Sequence, residues 1–168
     1  NYTELYHPYE TTVTIPETPR TQTLAGTYTT YSTLNWDGTP YGVTLPAAGD
    51  LKKETISQEY DELGNPTKLT GGPEGTATFE YVPQTDYTRY GEVERVELGA
   101  VGKRAWLSFY YEDSTRRLAR TIVDAEVPRP MQTDVNYTYD PAGNITSVAN
   151  TPKDLPHDVQ CFRYDHLR

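Results

Sequence analysis

Apolar and polar residues alternate with a period of two in short runs along most of the chain. The runs are rich in threonine, tyrosine, valine and isoleucine, which suit a pleated surface better than a helix. This alternation predicts half-buried β-strands. The predicted strands cover residues 12–15, 27–34, 76–82, 105–111, 118–123 and 135–139.

Clusters of glycine, proline, asparagine and aspartate separate these runs. Such clusters are typical of turns, and short strands joined by tight turns predict antiparallel hairpins. The predicted turns lie at residues 36–40, 64–66, 71–73, 128–130 and 141–144.

Residues 51–60 are compatible with two structures. Asp50 could cap a helix that runs from Leu51 toward Tyr60. In a strand, however, Ile56, Gln58 and Tyr60 would share one face and lead into a turn signal. Because threonine and serine at positions 55 and 57 also weaken a helix, we predict a strand.

A motif of the form Tyr-Asp-x-x-Gly-Asn recurs along the chain. The two full copies use Tyr60, Asp61, Gly64 and Asn65, and then Tyr139, Asp140, Gly143 and Asn144. A third copy begins with Tyr164 and Asp165, and looser copies begin at Tyr90 and Tyr111. Successive copies from residue 90 onward are 21 to 28 residues apart, which is the length of a strand pair with its turns. The motif therefore indicates a structural repeat.

Turn chemistry explains the spacing of the motif. The aspartate can accept hydrogen bonds from backbone amides two residues on, and the glycine can adopt a left-handed conformation, so the chain must reverse. The tyrosine before the turn can lay its ring over the neighbouring unit. Because one hairpin is marginally stable alone, the units must stack.

These features predict an all-β fold, an antiparallel sheet of stacked hairpins. Residues 1–50 lack the motif and form a threonine- and proline-rich lead-in, while residues 51–168 carry the repeats. Nothing between the two parts resembles a flexible linker, so a second independent domain is not expected.

The amino-acid composition of the chain restricts the kinds of molecule that it can bind. The chain has 24 acidic and 15 basic residues, a net charge of -9, and no run of lysine or arginine longer than two, which argues against nucleic acid. No apolar run approaches the roughly 20 residues that a membrane helix needs. The single cysteine, Cys161, excludes an internal disulfide.

The candidates for metal binding and catalysis are weak. The side chains closest to a metal site are His157, Asp158, Cys161, Asp165 and His166, and their spacing fits no zinc pattern. The acidic pairs at positions 59 and 61 and at 112 and 113 fall in turns or on strand faces, where nothing marks a carboxyl as buried. We therefore predict no metal, no cofactor and no catalytic residue.

Exposed aromatic rings leave an alternative hypothesis open. Trp36, Trp106 and the tyrosines could form a stacking platform for sugars. Aromatic residues in strands more often serve packing. A carbohydrate-binding β module that acts outside the cell therefore stays the second interpretation.

The motif copies and the tyrosine-rich strands between them, over roughly residues 55–168, resemble the YD-repeat or RHS family. This family includes bacterial polymorphic toxins, insecticidal toxin-complex subunits and the teneurins. The resemblance implies a long β-sheet that spirals into a hollow shell, which in bacterial members encloses a C-terminal toxin domain. For this chain it implies a non-catalytic piece of shell wall in a secreted or surface-exported bacterial protein. Its partners would be the rest of the shell and the enclosed effector, with contact to a cell surface or glycan as a further expectation.

Some members of that family release their cargo by an aspartyl self-cleavage that uses Asp-Pro-x-Gly elements. Residues 140–143 match one such element. Because no second element lies nearby and this one belongs to an ordinary repeat, we predict that it is a turn only.

Overall fold

The computed structural model describes residues 1–3 and 7–165, and all regular secondary structure in these ranges is β-strand. The predicted all-β class is therefore confirmed. The first six strands are β1 (Glu10–Ile15), β2 (Gly26–Leu34), β3 (Pro40–Leu45), β4 (Glu54–Tyr60), β5 (Pro66–Pro73) and β6 (Phe79–Val82). The others are β7 (Gln84–Tyr87), β8 (Val93–Leu98), β9 (Ala105–Tyr111), β10 (Leu118–Ala125), β11 (Met131–Tyr139), β12 (Ile145–Asn150) and β13 (Asp158–Cys161).

The chain divides into two compact units, Asn1–Pro83 and Gln84–Arg168. The first contains one sheet in the order β1 to β6, and the second contains one sheet in the order β13 to β7. Within each sheet every strand pairs antiparallel with its neighbour in sequence, which confirms the predicted hairpins. The boundary predicted near residue 50 lies inside the first unit and stays a prediction about where the repeats begin.

Residues 54–60 form strand β4, as predicted, rather than a helix. The turn predicted at residues 71–73 is wrong, because Gly71 and Gly72 lie within β5 and the chain reverses just after Pro73. These glycines serve the close approach of two strands. A Cβ on Gly71 would stand 2.7 Å from the carbonyl oxygen of Thr55 on β4.

Each sheet has one mainly apolar and one mainly polar face. In the first sheet, cross-strand pairing places Val43 beside Ile56 on the apolar face. In the second sheet, Val96, Leu107 and Val123 are paired across three strands on the apolar face. The polar face of the second sheet carries Arg95, Ser108, Ile122 and Asp134, which are likewise paired across strands.

Few side chains are fully buried in either sheet. Among the described residues the buried apolar side chains are Ile122 and Pro152, whereas Val13 and Phe79 remain about half exposed. This matches a chain in which apolar residues make up 35%. Strand pairing and polar contacts therefore hold each unit together more than a closed core does.

Candidate functional site

The two full copies of the motif form the same turn. The backbone amide of Asp61 donates to the carbonyl of Asn65 at 2.9 Å, and the amide of Gly64 donates back to the carbonyl of Asp61 at 3.1 Å. The corresponding distances in the second copy, from Asp140 to Asn144 and from Gly143 to Asp140, are 2.9 and 3.0 Å. The glycines have φ of 82° and 94°, the left-handed conformation that the motif predicted.

The aspartate carboxylate organises the inside of this turn. In the first copy Asp61 accepts hydrogen bonds from the backbone amides of Leu63 and Asn65, at 2.9 and 2.8 Å. Its second oxygen accepts from the Asn65 side-chain amide at 2.9 Å. Asp140 accepts from the backbone and side-chain amides of Asn144 at 2.9 and 2.8 Å. The asparagine side chain therefore completes the turn, a role that the sequence interpretation missed.

These hydrogen bonds favour the charged form of both carboxyls. The side-chain amide of Asn65 is the main cause that lowers the pKa of Asp61, and Asn144 has the same effect on the pKa of Asp140. Both aspartates accordingly act as anchored turn carboxylates, and neither has the raised pKa expected of a general acid.

The motif tyrosines have a common hydrogen-bonding role. In four of them the hydroxyl donates to the backbone carbonyl of the first residue of the preceding strand. The pairs are Tyr60 to Pro40 at 2.5 Å, Tyr111 to Val93 at 2.8 Å, Tyr139 to Leu118 at 2.7 Å and Tyr164 to Ile145 at 2.8 Å. We call these contacts the tyrosine ties. The ties of Tyr60, Tyr111 and Tyr139 each join the last residue of one strand to the first residue of its neighbour, beside the turn that follows the tyrosine, whereas Tyr164 lies three residues beyond the end of β13.

The looser copy predicted at Tyr90 begins three residues earlier. Thr88 donates its amide to the carbonyl of Glu92 at 2.8 Å, and Gly91 donates to the carbonyl of Thr88 at 2.9 Å. Tyr87 therefore holds the tyrosine position, Thr88 the aspartate position and Glu92 the asparagine position. The Thr88 hydroxyl takes over part of the role of the aspartate, because it accepts from the amide of Tyr90 at 3.2 Å and contacts the Glu92 carboxylate.

A further turn of this kind lies in the lead-in, where the sequence motif was not recognised. Asn35 donates its amide to the carbonyl of Thr39 at 2.8 Å, and Gly38 donates to the carbonyl of Asn35 at 3.0 Å. Leu34 occupies the tyrosine position and has no hydroxyl to form a tie. The glycine four residues after it was the available signal. The tyrosine positions are then 34, 60, 87, 111, 139 and 164, a spacing of 24 to 28 residues.

The turn after Tyr111 departs from the pattern and contacts one neighbouring turn through Arg116. This residue has a φ of 57°, in the region where the other turns place glycine. Its guanidinium donates two hydrogen bonds to Glu92, at 2.9 and 2.5 Å, and lies 4.4 Å from the centroid of the Tyr90 ring. The pair lowers the pKa of Glu92. A strained backbone here places a side chain that glycine would lack.

Arg117 connects the same turn to the opposite neighbour. Its guanidinium lies 5.5 Å from the centroid of the Tyr139 ring and donates to the carbonyl of Asp140 at 3.3 Å. The turn after Tyr111 therefore contacts the neighbouring turn on each side, through Arg116 and Arg117.

The other predicted candidates do not converge on a reactive centre. Asp134 is the buried carboxyl among the described residues, and Arg120 donates two hydrogen bonds to it at 2.6 and 2.7 Å, which lowers its pKa. Within residues 1–3 and 7–165, no three His, Cys, Asp or Glu side chains cluster as metal ligands, and no helix is long and apolar enough to cross a membrane. Cys161 is exposed on β13, and His166 lies outside the described residues.

The two tryptophans lie in different units. Trp36 is 94% exposed in a turn of the first unit. Trp106 lies in the second unit, where its indole nitrogen donates to Glu97 at 3.1 Å and Arg95 lies 5.7 Å from its ring centroid. The hypothesis of a carbohydrate-binding module therefore stays a prediction.

Comparison with solved structures finds toxin-complex proteins with similar folds. The chain matches the crystal structure of TcdB2-TccC3 with a TM-score of 0.73 and 20% identity, over 92% of this chain and 8% of that chain. TcdB2-TccC3 without its hypervariable C-terminal region matches with a TM-score of 0.70 and 20% identity, over 89% of this chain and 7% of that chain. The Tc holotoxin pore of Photorhabdus luminescens matches with a TM-score of 0.64 and 24% identity, over 74% of this chain and 5% of that chain. No protein-family model and no curated protein matches the chain.

These likenesses establish the fold. The antiparallel hairpin sheets of this chain have the fold of segments in those toxin-complex proteins, so the resemblance to YD-repeat proteins is confirmed at the level of fold. The chain spans only 5 to 8% of the length of the matched chains.

Proposed function

We propose that this chain is a non-catalytic wall segment of an RHS or YD-repeat shell in a secreted or surface-exported bacterial protein. The shell encloses or presents an effector domain that lies outside this sequence. The partners of the segment are then the remainder of the same shell and that effector.

The observation that carries the proposal is the recurrence of the tyrosine ties. The same hydroxyl-to-carbonyl contact is made by Tyr60, Tyr111, Tyr139 and Tyr164, and the first three lie beside a turn that the structure describes. Such a contact can be repeated along a sheet of any length, because each tie needs only the strand before it. The motif tyrosines therefore serve to join the strands of the wall.

Two further features support a structural role. The motif carboxylates have lowered pKa values and are held by turn amides, and the carboxylates of Glu92 and Asp134 are paired with arginine. One of the similar structures is TcdB2-TccC3 without its hypervariable C-terminal region, and by analogy the parent of this chain would carry a variable region after the repeats.

Limited proteolysis of the intact parent protein tests the proposal. We expect the region downstream of the repeats to resist protease until the repeats themselves are cut. The double variant Tyr111→Phe with Tyr139→Phe removes two ties and should expose that region sooner, whereas Tyr110→Phe removes a hydroxyl that has no described partner and should not. Cleavage of the downstream region at the rate of an unprotected peptide in the wild type would contradict an enclosing shell.

A further inference from the structure

The second sheet has a groove that the repeat turns do not use. Its volume is about 310 Å³, within the range of about 300–1,000 Å³ that small-molecule pockets occupy. Strands β7, β8 and β9 supply its walls. The lining residues are Asp86, Glu94, Arg95, Ser108, Phe109 and Tyr110.

Tyr110 differs from the motif tyrosines in what its ring and hydroxyl contact. Tyr111, the next residue, lies on the opposite face of the strand and is engaged in a tyrosine tie. Tyr110 is 49% exposed, and its hydroxyl has no hydrogen-bond partner in the part of the chain that the structure describes. Arg120 lies 5.8 Å from the ring centroid. The groove therefore has a half-open aromatic wall.

The polar side chains beside this ring are also largely unpaired. Arg95 is the cross-strand partner of both Asp86 and Ser108, so the three lie in one row on the polar face. Among the described residues Arg95 forms no ion pair, unlike Arg116 and Arg120, and the Ser108 hydroxyl forms no hydrogen bond. Asp86 accepts one hydrogen bond, from Gln84 at 2.8 Å, which leaves further acceptor capacity.

We infer that this groove is a binding site for a neutral saccharide. A pyranose ring has an apolar face of C–H groups that can stack on Tyr110, and a rim of hydroxyls. The planar Arg95 guanidinium can donate to two adjacent hydroxyls, while Asp86 and Ser108 accept or donate at the rim. Asp86, Arg95 and Ser108 belong to paired strands, which hold these residues in fixed positions relative to one another.

The electrostatics of the groove disfavour an anionic ligand. The groove contains two carboxylates, Asp86 and Glu94, beside one guanidinium, and the whole chain has a net charge of -9. An anionic sugar would meet repulsion in this setting. This binding activity does not depend on the wall role, because the motif turns and ties take no part in it.

Tryptophan fluorescence can detect occupancy directly. In a Trp36→Phe background Trp106 is the only indole, and Arg95 lies over its ring. The 168-residue chain would be titrated separately with cellobiose, lactose, maltose and chitobiose, and with sialyllactose as the anionic probe. We expect a saturable change in emission with at least one neutral disaccharide and none with sialyllactose.

Substitutions inside and outside the groove test where the saccharide binds. Tyr110→Ala and Arg95→Gln should each weaken the affinity about ten-fold or more, as expected for loss of a stacked ring or a bidentate donor. The matched control is Tyr31→Ala on the first sheet, where the ring is 47% exposed and the affinity should not change. Circular dichroism checks folding, and Ser108→Ala replaces Tyr110→Ala if that variant unfolds. The inference is overturned if no neutral disaccharide changes the emission, if the groove variants bind as the parent does, or if sialyllactose alone binds.

Discussion

At each full motif turn a carboxylate, an amide and a phenol have separate roles. Asp61 accepts from the turn amides, Asn65 holds the second carboxylate oxygen, and the Tyr60 hydroxyl reaches the preceding strand. Replacing one residue should therefore affect one type of contact. This separation allows the contributions to be measured individually.

The lowered pKa values of Asp61 and Asp140 predict acid sensitivity. Because each folded-state pKa lies below the ordinary value of 3.8, the charged carboxylate stabilises the fold above that pH. The contribution is lost as the pH falls through the folded pKa. In urea unfolding from about pH 5 to about pH 2, we expect the double variant Asp61→Asn with Asp140→Asn to lose less stability than the parent. Asp50→Asn is the control, and equal slopes for the double variant and parent would refute the assignment.

The tie at Tyr139 should contribute measurable stability. Its hydroxyl donates to the carbonyl of Leu118 in a partly buried site, so Tyr139→Phe leaves that carbonyl without this donor. We expect the free energy of unfolding to fall by about 0.5–1.5 kcal/mol, the usual net contribution of one hydrogen bond. Tyr110→Phe, measured by the same urea titration, should change it little. Similar losses in the two variants would show that the tie has no special role.

At the level of elements, hydrogen bonds within the turn define the repeat more strictly than its residue letters do. The turns at residues 35–39 and 88–92 close through the same backbone contacts as the full copies, although neither contains Asp and Asn at the motif positions. Glycine at the left-handed position is common to these turns. The turn after Tyr111 is longer than the others. The side chain of Arg116 stabilises it by binding Glu92 in the neighbouring turn.

Strand pairing between β4 and β5 depends on Gly71. Alanine there would place its Cβ 2.7 Å from the carbonyl of Thr55, so we expect Gly71→Ala to destabilise the fold by about 1–3 kcal/mol. Gly42→Ala on β3 is the matched control, because its Cβ would meet its nearest neighbour, Thr33, at 3.5 Å. Chemical denaturation of both variants checks this. If Gly71→Ala is tolerated as well as the control, the close approach of the strands is not required.

At the scale of the whole molecule, each unit has sheet faces that are only partly covered. Val13, Phe79 and Val159 are 50% exposed or more, and few apolar side chains are buried in the described chain. The units therefore depend on paired backbone and lateral ties, and the apolar face of the first sheet, which carries Val13 and Phe79, remains available for contact with other protein.

Self-association of the isolated chain should follow from this apolar face. Val43→Lys places a charge on the apolar face of the first sheet and should reduce association, as measured by light scattering over a concentration series. Thr44→Lys, the adjacent residue on the polar face, adds the same charge and should have a smaller effect. Equal effects would indicate that net charge, rather than the apolar face, controls association.

Local sequence patterns were sufficient to predict much of this architecture. Alternation located seven of the thirteen strands that the structure describes, and the glycine, aspartate and asparagine spacing located the full turns at residues 61–65 and 140–144. These features depend on contacts between residues at most a few positions apart, which a sequence displays directly. The turn expected at Gly71 failed because a glycine can serve either a reversal or a close strand contact, and local sequence does not distinguish the two.

The all-β class, the hairpins and the repeated turns could therefore be predicted from the amino-acid order, because they follow from side-chain alternation and from hydrogen bonds closed within a single turn. Three features became visible only in the folded chain: which carbonyl each tying tyrosine reaches, that Arg116 binds Glu92, and that Tyr110 lies in the groove with Arg95. These contacts join residues 15 to 24 positions apart. Their partners are set by the register between neighbouring strands, and one residue of slip would turn the same side chains to the opposite face.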